Sequence, residues 1–278
     1  MKISTTLLYL TSLLIFNSCT DVIDLDLTEA NKKLVVEAWL TNDTDVHTVQ
    51  LSLTGSYFDQ NPTLRVNDAV VTITDNTGNS FILEETADGI YQDRFDLVQA
   101  NTYFLHIKTI EGEEYISQGE KLSPVPSIDS LYAVYQVKTT IDDEGYFVYI
   151  NSKDPIGQRN FYRWKIYIND VYQNKADNIS FETDEYFNGN DITNFQFYWE
   201  PLNEGDFVKV EQLSLSENGY KFIKLMREQL TGGGIFGTPP ATIKGNISSK
   251  NNPAETVLGF FGVSSIHSLK ILIEGSKP

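Results

Sequence analysis

From Lys33 to Leu122 the chain alternates: apolar, β-branched and aromatic residues recur with period two between clusters of Asn, Asp and Gly. That is the pattern of half-buried strands joined by tight turns. Segments 34–41, 48–58, 69–75, 80–86, 89–95, 103–110 and 114–122 read as strands. Asp75-Asn76-Thr77-Gly78, Asp88-Gly89 and Glu111-Gly112-Glu113 read as their turns, because Asn, Asp and Gly tolerate positive φ. Seven short strands at this spacing predict a β-sandwich over 32–123. Pro124-Val125-Pro126 interrupts the ladder, since proline cannot donate a sheet hydrogen bond, and marks the expected domain boundary.

The second part, 127–278, is also strand-rich, with segments 130–140, 146–154, 161–170, 195–201 and 206–216 alternating and closing strands expected within 242–248 and 256–273. In 161–170, Phe161, Arg163 and Lys165 share one face and Tyr162, Trp164, Ile166 and Ile168 the other, which predicts a strand with one solvated side. One helix is expected at 216–230: Ser216 caps it, Phe222, Leu225, Met226 and Leu230 form its apolar face, and Gly232 ends it. The pattern therefore predicts an all-β protein of two consecutive sandwich-like domains with a single helix. Its competitor is one continuous sandwich in which Pro-Val-Pro is only a corner.

One stretch departs from alternation. Met1 and Lys2 lead into an apolar run from Leu7 to Phe16, followed by Asn17, Ser18 and Cys19. The run is shorter than the ~20 residues a membrane helix needs, and its order of charge, apolar segment and small residue before cysteine is that of a lipoprotein signal. The usual lipobox prefers Leu where Phe16 stands. The expectation is removal of 1–18, acylation of Cys19, and a body tethered to a membrane surface. The competing reading of Cys19 is a small buried apolar residue. Residues 19–31 are acidic and read as a flexible tether, or, through Asp21, Asp24 and Asp26, as a sorting signal. With no second cysteine, disulfides and thiolate metal sites are excluded.

Composition adds that the body folds and what it avoids. At 41% apolar and 12% aromatic it can bury a substantial core. Its 38 acidic against 21 basic residues, net −17, argue against nucleic acid as a partner, which needs clustered Lys and Arg.

Candidate chemistry is sparse. His47, His106 and His267 all sit in or beside strand-like segments without a G-x-S-x-G elbow, so no nucleophilic triad is expected. Zinc spacings are absent. Asp142-Asp143-Glu144 and the loop with Asp184, Glu185, Asn188, Asn190 and Asp191 are oxygen-rich enough for calcium, but no regular ligand spacing separates them from solvated turns. Nothing selects a carboxylate pair for glycoside hydrolysis. The loop 232–240 follows a helix, so it cannot cradle phosphate at a helix N-terminus; it reads as a hinge, or as a tip presenting Ile235 and Phe236 to a partner pocket. Tyr162, Trp164, Tyr186, Phe187, Tyr198 and Trp199 are either core or a platform for sugar rings. No cofactor is expected.

Taken in order, several short motifs carry a resemblance. They are Ser18-Cys19, Leu34-Val35-Val36-Glu37-Ala38, Ala69-Val70-Val71-Thr72-Ile73, Gly89-Ile90-Tyr91, Tyr115-Ile116-Ser117 and Pro126-Ser127-Ile128-Asp129-Ser130-Leu131. Pro239-Pro240, Lys244-Gly245-Asn246-Ile247 and the stretch from Leu258 to Ser265 complete them. The chain resembles the Bacteroidota outer-membrane lipoproteins grouped as domain of unknown function 4249, over nearly its whole length. The first sandwich is similar to transthyretin-like or carboxypeptidase-regulatory-like modules, so the fold implied is two consecutive Ig-like or transthyretin-like β-sandwiches. The family resemblance implies an accessory outer-membrane lipoprotein beside a TonB-dependent β-barrel transporter; together with the lipid anchor, the acidic exterior and the lack of a catalytic constellation it leads to a non-enzymatic, surface-facing lipoprotein that helps to capture or assemble the transporter's cargo, with a glycan or peptide as further ligand. It brings no catalytic residues. The alternatives are a surface polysaccharide-binding protein or hydrolase, and a structural or adhesive spacer. Asp129-Ser130-Leu131 also matches the short O-glycosylation pattern of exported Bacteroidota proteins, which would place a glycan on Ser130; a strand-start turn explains the same residues.

Overall fold

The computed structural model describes residues 32–55, 63–140, 143–186, 188–232 and 243–275. Cys19, with segments 1–18 and 19–31, and the loop residues Ile235 and Phe236 lie outside them.

The first strands follow the alternation. They are β1 (Leu34–Thr41), β2 (Val46–Leu53), β3 (Val70–Asp75), β4 (Ser80–Ala87), β5 (Ile90–Arg94), β6 (Thr102–Lys108), β7 (Glu114–Ser117) and the short β8 (Glu120–Lys121). Leu34, Val36, Ala38 and Leu40 of β1 and Tyr103, Leu105 and Ile107 of β6 point into one core. Strand β4 serves two layers: Ser80 to Leu83 pair with β3, and Glu84 to Ala87 pair with β5 across a bulge. The expected 114–122 strand is broken into β7 and β8 at Gln118-Gly119, where a Cβ on Gly119 would lie 2.7 Å from the Phe104 ring.

The second set is β9 (Ile128–Gln136), β10 (Gly145–Lys153), β11 (Phe161–Ile168), β12 (Val171–Tyr172), β13 (Ser180–Thr183), β14 (Asp191–Phe195) and β15 (Phe207–Leu215), then helix α1 (Glu217–Thr231), β16 (Ile247–Ser249), β17 (Leu258–Ser264) and β18 (Ile266–Leu272). The expected strand over 195–201 does not form. Phe197 and Tyr198 are consecutive and both buried, which a pleated strand packed on one face does not allow.

β9, β10 and β14 make one sheet, and β12, β11, β15 and β18 with β13 another. Between them lies a second core of Leu131, Val148, Ile150, Tyr162, Trp164 and Val210. Gln212, fully buried, ties this core to the proline segment: its Oε1 accepts from Trp164 Nε1 at 2.9 Å and its Nε2 donates to the Pro126 carbonyl at 3.1 Å.

The strands do not divide at the proline segment as two consecutive domains require. β17 pairs in parallel with β1, Val35 opposite Leu258 through Thr41 opposite Ser264, and β16 pairs with β7. Both belong to the first sandwich, so the second begins at Ile128 but the chain returns to the first before closing with β18. The reason lies in β17 itself: Phe260, Phe261, Val263 and Ser264 are all buried, and a strand buried on both faces needs covering layers on each side. Phe261 and Val263 enter the first core, while Phe260 stacks on Trp39 at 5.5 Å and on Phe222 of α1 at 4.8 Å.

Helix α1 starts where expected, with Ser216 Oγ accepting from the Gly219 N–H at 2.9 Å. Its buried face differs from expectation. Gly219 and Ile223 are buried, with Tyr220, Phe222 and Met226 packed beside them, whereas Leu225 and Leu230 face solvent. A Cβ at Gly219 would stand 3.3 Å from the Trp39 ring, so the glycine lets the helix settle along a line that a hydrophobic count alone does not reveal.

Candidate functional site

The odd-numbered face of β11 carries the most unusual chemistry among the described residues. Its Phe161 end is not solvated as expected, because α1 covers it: Phe161 packs against Tyr220 at 5.1 Å. Beyond the helix the face continues through Arg163, Lys165 and Tyr167, and the register sets these beside Leu213, Glu211 and Lys209 of β15. Across β15, Ser268 lies opposite Glu211 and Lys270 opposite Lys209. Four basic side chains thus share one sheet face with a single acid, in a chain of net charge −17.

Tyrosines line this face. Lys209 Nζ is 2.6 Å from Glu211 Oε1 and 3.9 Å above the Tyr167 ring, while the Tyr167 hydroxyl donates to Glu211 Oε2 at 3.1 Å. Tyr167 and Tyr172 rings are 5.2 Å apart, and Arg163 donates to the Tyr172 hydroxyl at 3.1 Å while its Nε finds no partner. Among the described residues Lys165 makes no ion pair; its ammonium lies 5.8 Å from the Tyr172 centroid. Burial, then the neighbouring Arg163 charge, lowers its pKa to about 8, against the pull of Glu211 and of Asp43 in the β1–β2 turn. Burial beside Glu211 raises the Tyr167 phenol well above its usual range. A half-buried cluster of cations and tyrosines is suited to hold an anionic or acidic surface by hydrogen bonds and cation–π contacts.

The histidines are held as structural groups. His47 is buried against Phe95, with Nε2 2.9 Å from the Phe95 carbonyl, and desolvation lowers its pKa. His106 Nε2 meets Thr74 Oγ1 at 3.0 Å, and His267 Nδ1 accepts from the Ile128 N–H at 3.0 Å. Of the proposed sugar-stacking aromatics, Tyr162, Trp164 and Tyr198 are core and Trp199 is exposed; Phe187 and the side chain of Tyr186 lie outside the described residues. A cleft of about 370 Å³ is lined by Tyr135, Tyr146, Glu144 and Glu204. Both glutamates are exposed, whereas a glycosidase acid is normally raised by burial. Of the oxygen-rich segments, Asp143 pairs with Lys138 at 3.4 Å, and the loop around Asp184 also involves Asp154, which sequence reading passed over. Ser130 sits half-buried in β9, and its Oγ accepts from Asn151 Nδ2 at 2.8 Å.

The basic face was partly legible: alternation puts Arg163 and Lys165 together. That Lys209 and Lys270 join them follows only from the β11–β15–β18 register.

A profile of the family described as "Domain of unknown function (DUF4249)" matches residues 20–270. The chain belongs to this family. No curated protein matches it. For a DUF4249 protein the match includes both sandwiches, the helix and the returning strands β16 and β17, so the interleaved body is the unit the family profile describes.

Proposed function

We propose that this DUF4249 protein is a non-enzymatic lipoprotein of the outer membrane, anchored through acyl chains on Cys19, that docks on a TonB-dependent β-barrel transporter and assists capture or assembly of its cargo. The observation that supports this reading is the basic, tyrosine-lined face of β11, β15 and β18. On a protein that is otherwise strongly acidic, one cationic face steers an acidic partner surface into a single orientation and disfavours others. Tyr and Arg are also the residues that interfaces enrich.

The test is a mild-detergent pull-down through the full lipidated chain with mass spectrometry. A β-barrel recovered in stoichiometric amount, and lost in a Lys209→Glu, Lys270→Glu variant that folds normally, supports the proposal. Recovery of the lipoprotein alone from intact membranes overturns it. The same preparations test lipidation and the glycan proposed for Ser130. Cys19→Ala abolishes palmitate incorporation, and an intact mass equal to the lipidated polypeptide alone removes the Ser130 assignment.

A further inference from the structure

Two acids far apart in sequence converge at one end of the second sandwich. Asp154 follows β10 and Asp184 follows β13, and each is 1% exposed. The β11–β13 ladder pairs Phe161 with Thr183, and the Asp184 N–H donates to the Asn160 carbonyl at 3.1 Å, so the register runs on to set Asp184 opposite Asn160. Alternation then places Asp184 on the sheet face of Tyr162. The Tyr162 hydroxyl donates to Asp154 Oδ1 at 2.5 Å, so both acids lie on the side of the sheet that Tyr162 occupies.

The two carboxylates are not treated alike. Asp154 Oδ1 has Tyr162, and its Oδ2 accepts from the Gly189 N–H at 2.9 Å. Among the described residues neither carboxylate oxygen of Asp184 has a hydrogen-bond partner, and no Lys or Arg forms an ion pair with it. The nearby Arg159 is turned to Glu185 at 3.9 Å and to the Phe161 ring. A buried carboxylate without donor or cation is strongly disfavoured as the ion and is relieved by taking up a proton or a cation.

We propose that Asp184 and Asp154 hold a divalent cation, Ca²⁺, which fastens the loops after β10 and β13 to the end of the sheet. Calcium fits the donor chemistry. The two carboxylates offer hard oxygens only, and Ca²⁺ accepts six to eight oxygens, water included, in irregular geometry where Mg²⁺ demands an octahedron. Among the described residues no three of His, Cys, Asp and Glu gather into one metal-holding group, so two carboxylates set the charge and binding is weak, with a Kd on the order of 10⁻⁴ to 10⁻³ M. The loops are already in register for it: the Asp154 N–H donates to the Asn190 carbonyl at 3.1 Å, and the Gly157 N–H to Asn188 Oδ1 at 3.0 Å.

Terbium(III), a calcium substitute excited through neighbouring aromatic rings, is the probe. Tyr162 and Trp164 lie 5.9 Å apart beside the site and would sensitise it. Full-length protein should show saturable terbium luminescence that Ca²⁺ displaces about tenfold more effectively than Mg²⁺, and a Tm raised by about 10 mM CaCl₂ relative to EDTA. Asp184→Asn should abolish both responses while being at least as stable as the parent in EDTA, because it removes an unpaired buried charge. Asp191→Asn, altering an exposed acid at the start of β14 that pairs with Lys153, should leave both responses intact. No calcium-displaceable luminescence with an unchanged Tm overturns the proposal, as does full retention of both responses in Asp184→Asn. If that variant fails to fold, the titration of the parent protein decides.

Discussion

Asn246 holds the backbone of Phe261 by both ends of its amide: Nδ2 donates to the Phe261 carbonyl at 2.8 Å, and Oδ1 accepts from the Phe261 N–H at 3.0 Å. A side chain here takes the place of a neighbouring strand for β17. The same Nδ2 donates to the buried Glu120 at 3.0 Å, which links the returning strand to β8. Asn246→Ala should leave the Phe261 N–H and carbonyl unpaired in the core. We expect a loss of about 2 to 4 kcal/mol, read as a lower urea midpoint at unchanged slope.

Glu120 is a pH-dependent element at this junction. Burial raises its pKa to about 7, against the lowering effect of hydrogen bonds from Ser216 and Asn246. Because the folded carboxyl holds its proton to higher pH than the unfolded one, stability should be greatest below the ordinary value of 4.5 and fall as pH rises toward about 7. Glu120→Gln keeps an acceptor for Asn246 and removes the charge. It should flatten this slope and stabilise the protein at pH values above 7, by up to ~3 kcal/mol. Thermal unfolding of both proteins across this range is the check, and a parallel pair of curves would contradict it.

Gly259 and Gly112 separate steric from conformational demand, since both have φ of +89°. A Cβ at Gly259 would fall 1.9 Å from the Val36 carbonyl oxygen, within the β1–β17 pairing, whereas at Gly112 it meets open space. Gly112→Ala should therefore cost only about 1 to 2 kcal/mol of backbone strain. Gly259→Ala should force the two strands apart and abolish cooperative unfolding, as followed by near-ultraviolet circular dichroism.

Excision at the proline segment should fail. Residues 127–278 produced alone leave β16 and β17 without β7 and β1, and residues 32–123 alone leave the edge of β1 open. Both fragments should be insoluble or unfolded while 32–278 is folded. A soluble, protease-resistant fragment beginning near 127 would show the second sandwich to be self-sufficient.

Lys165 gives a second pH signature of opposite origin. Its amine is lowered to about 8, so the folded state disfavours the charged form and stability should rise as pH climbs from about 8 toward 10.5. Lys165→Met should remove that rise and be more stable than the parent at neutral pH. Side-chain NMR titration of the parent measures the amine directly.

Alternation along the chain was enough to locate most strands and the inward face of β1, β6 and β11, because a strand packed on one side writes period two into its own residues. The helix start was equally local, set by one serine oxygen and one N–H. Segment 195–201 misled because two adjacent aromatics, Phe197 and Tyr198, are both buried in the second core, and the α1 face misled because a glycine, not a leucine, marks its contact line. Turn residues announced the hairpin pairs β3–β4, β4–β5 and β6–β7, but the long-range pairing partners were not written locally. Trp39 Nε1 donates to Ser264 Oγ at 2.9 Å across 225 positions of sequence, and nothing in either segment's periodicity names the other. The return of β17 to β1, the gathering of Arg163, Lys165, Lys209 and Lys270 on one face, and the placing of Asp184 on the Tyr162 side of β11 all depend on register between distant strands. Tertiary packing decides that register, because each pairing is favoured only when the cores on both sides of it are filled at once.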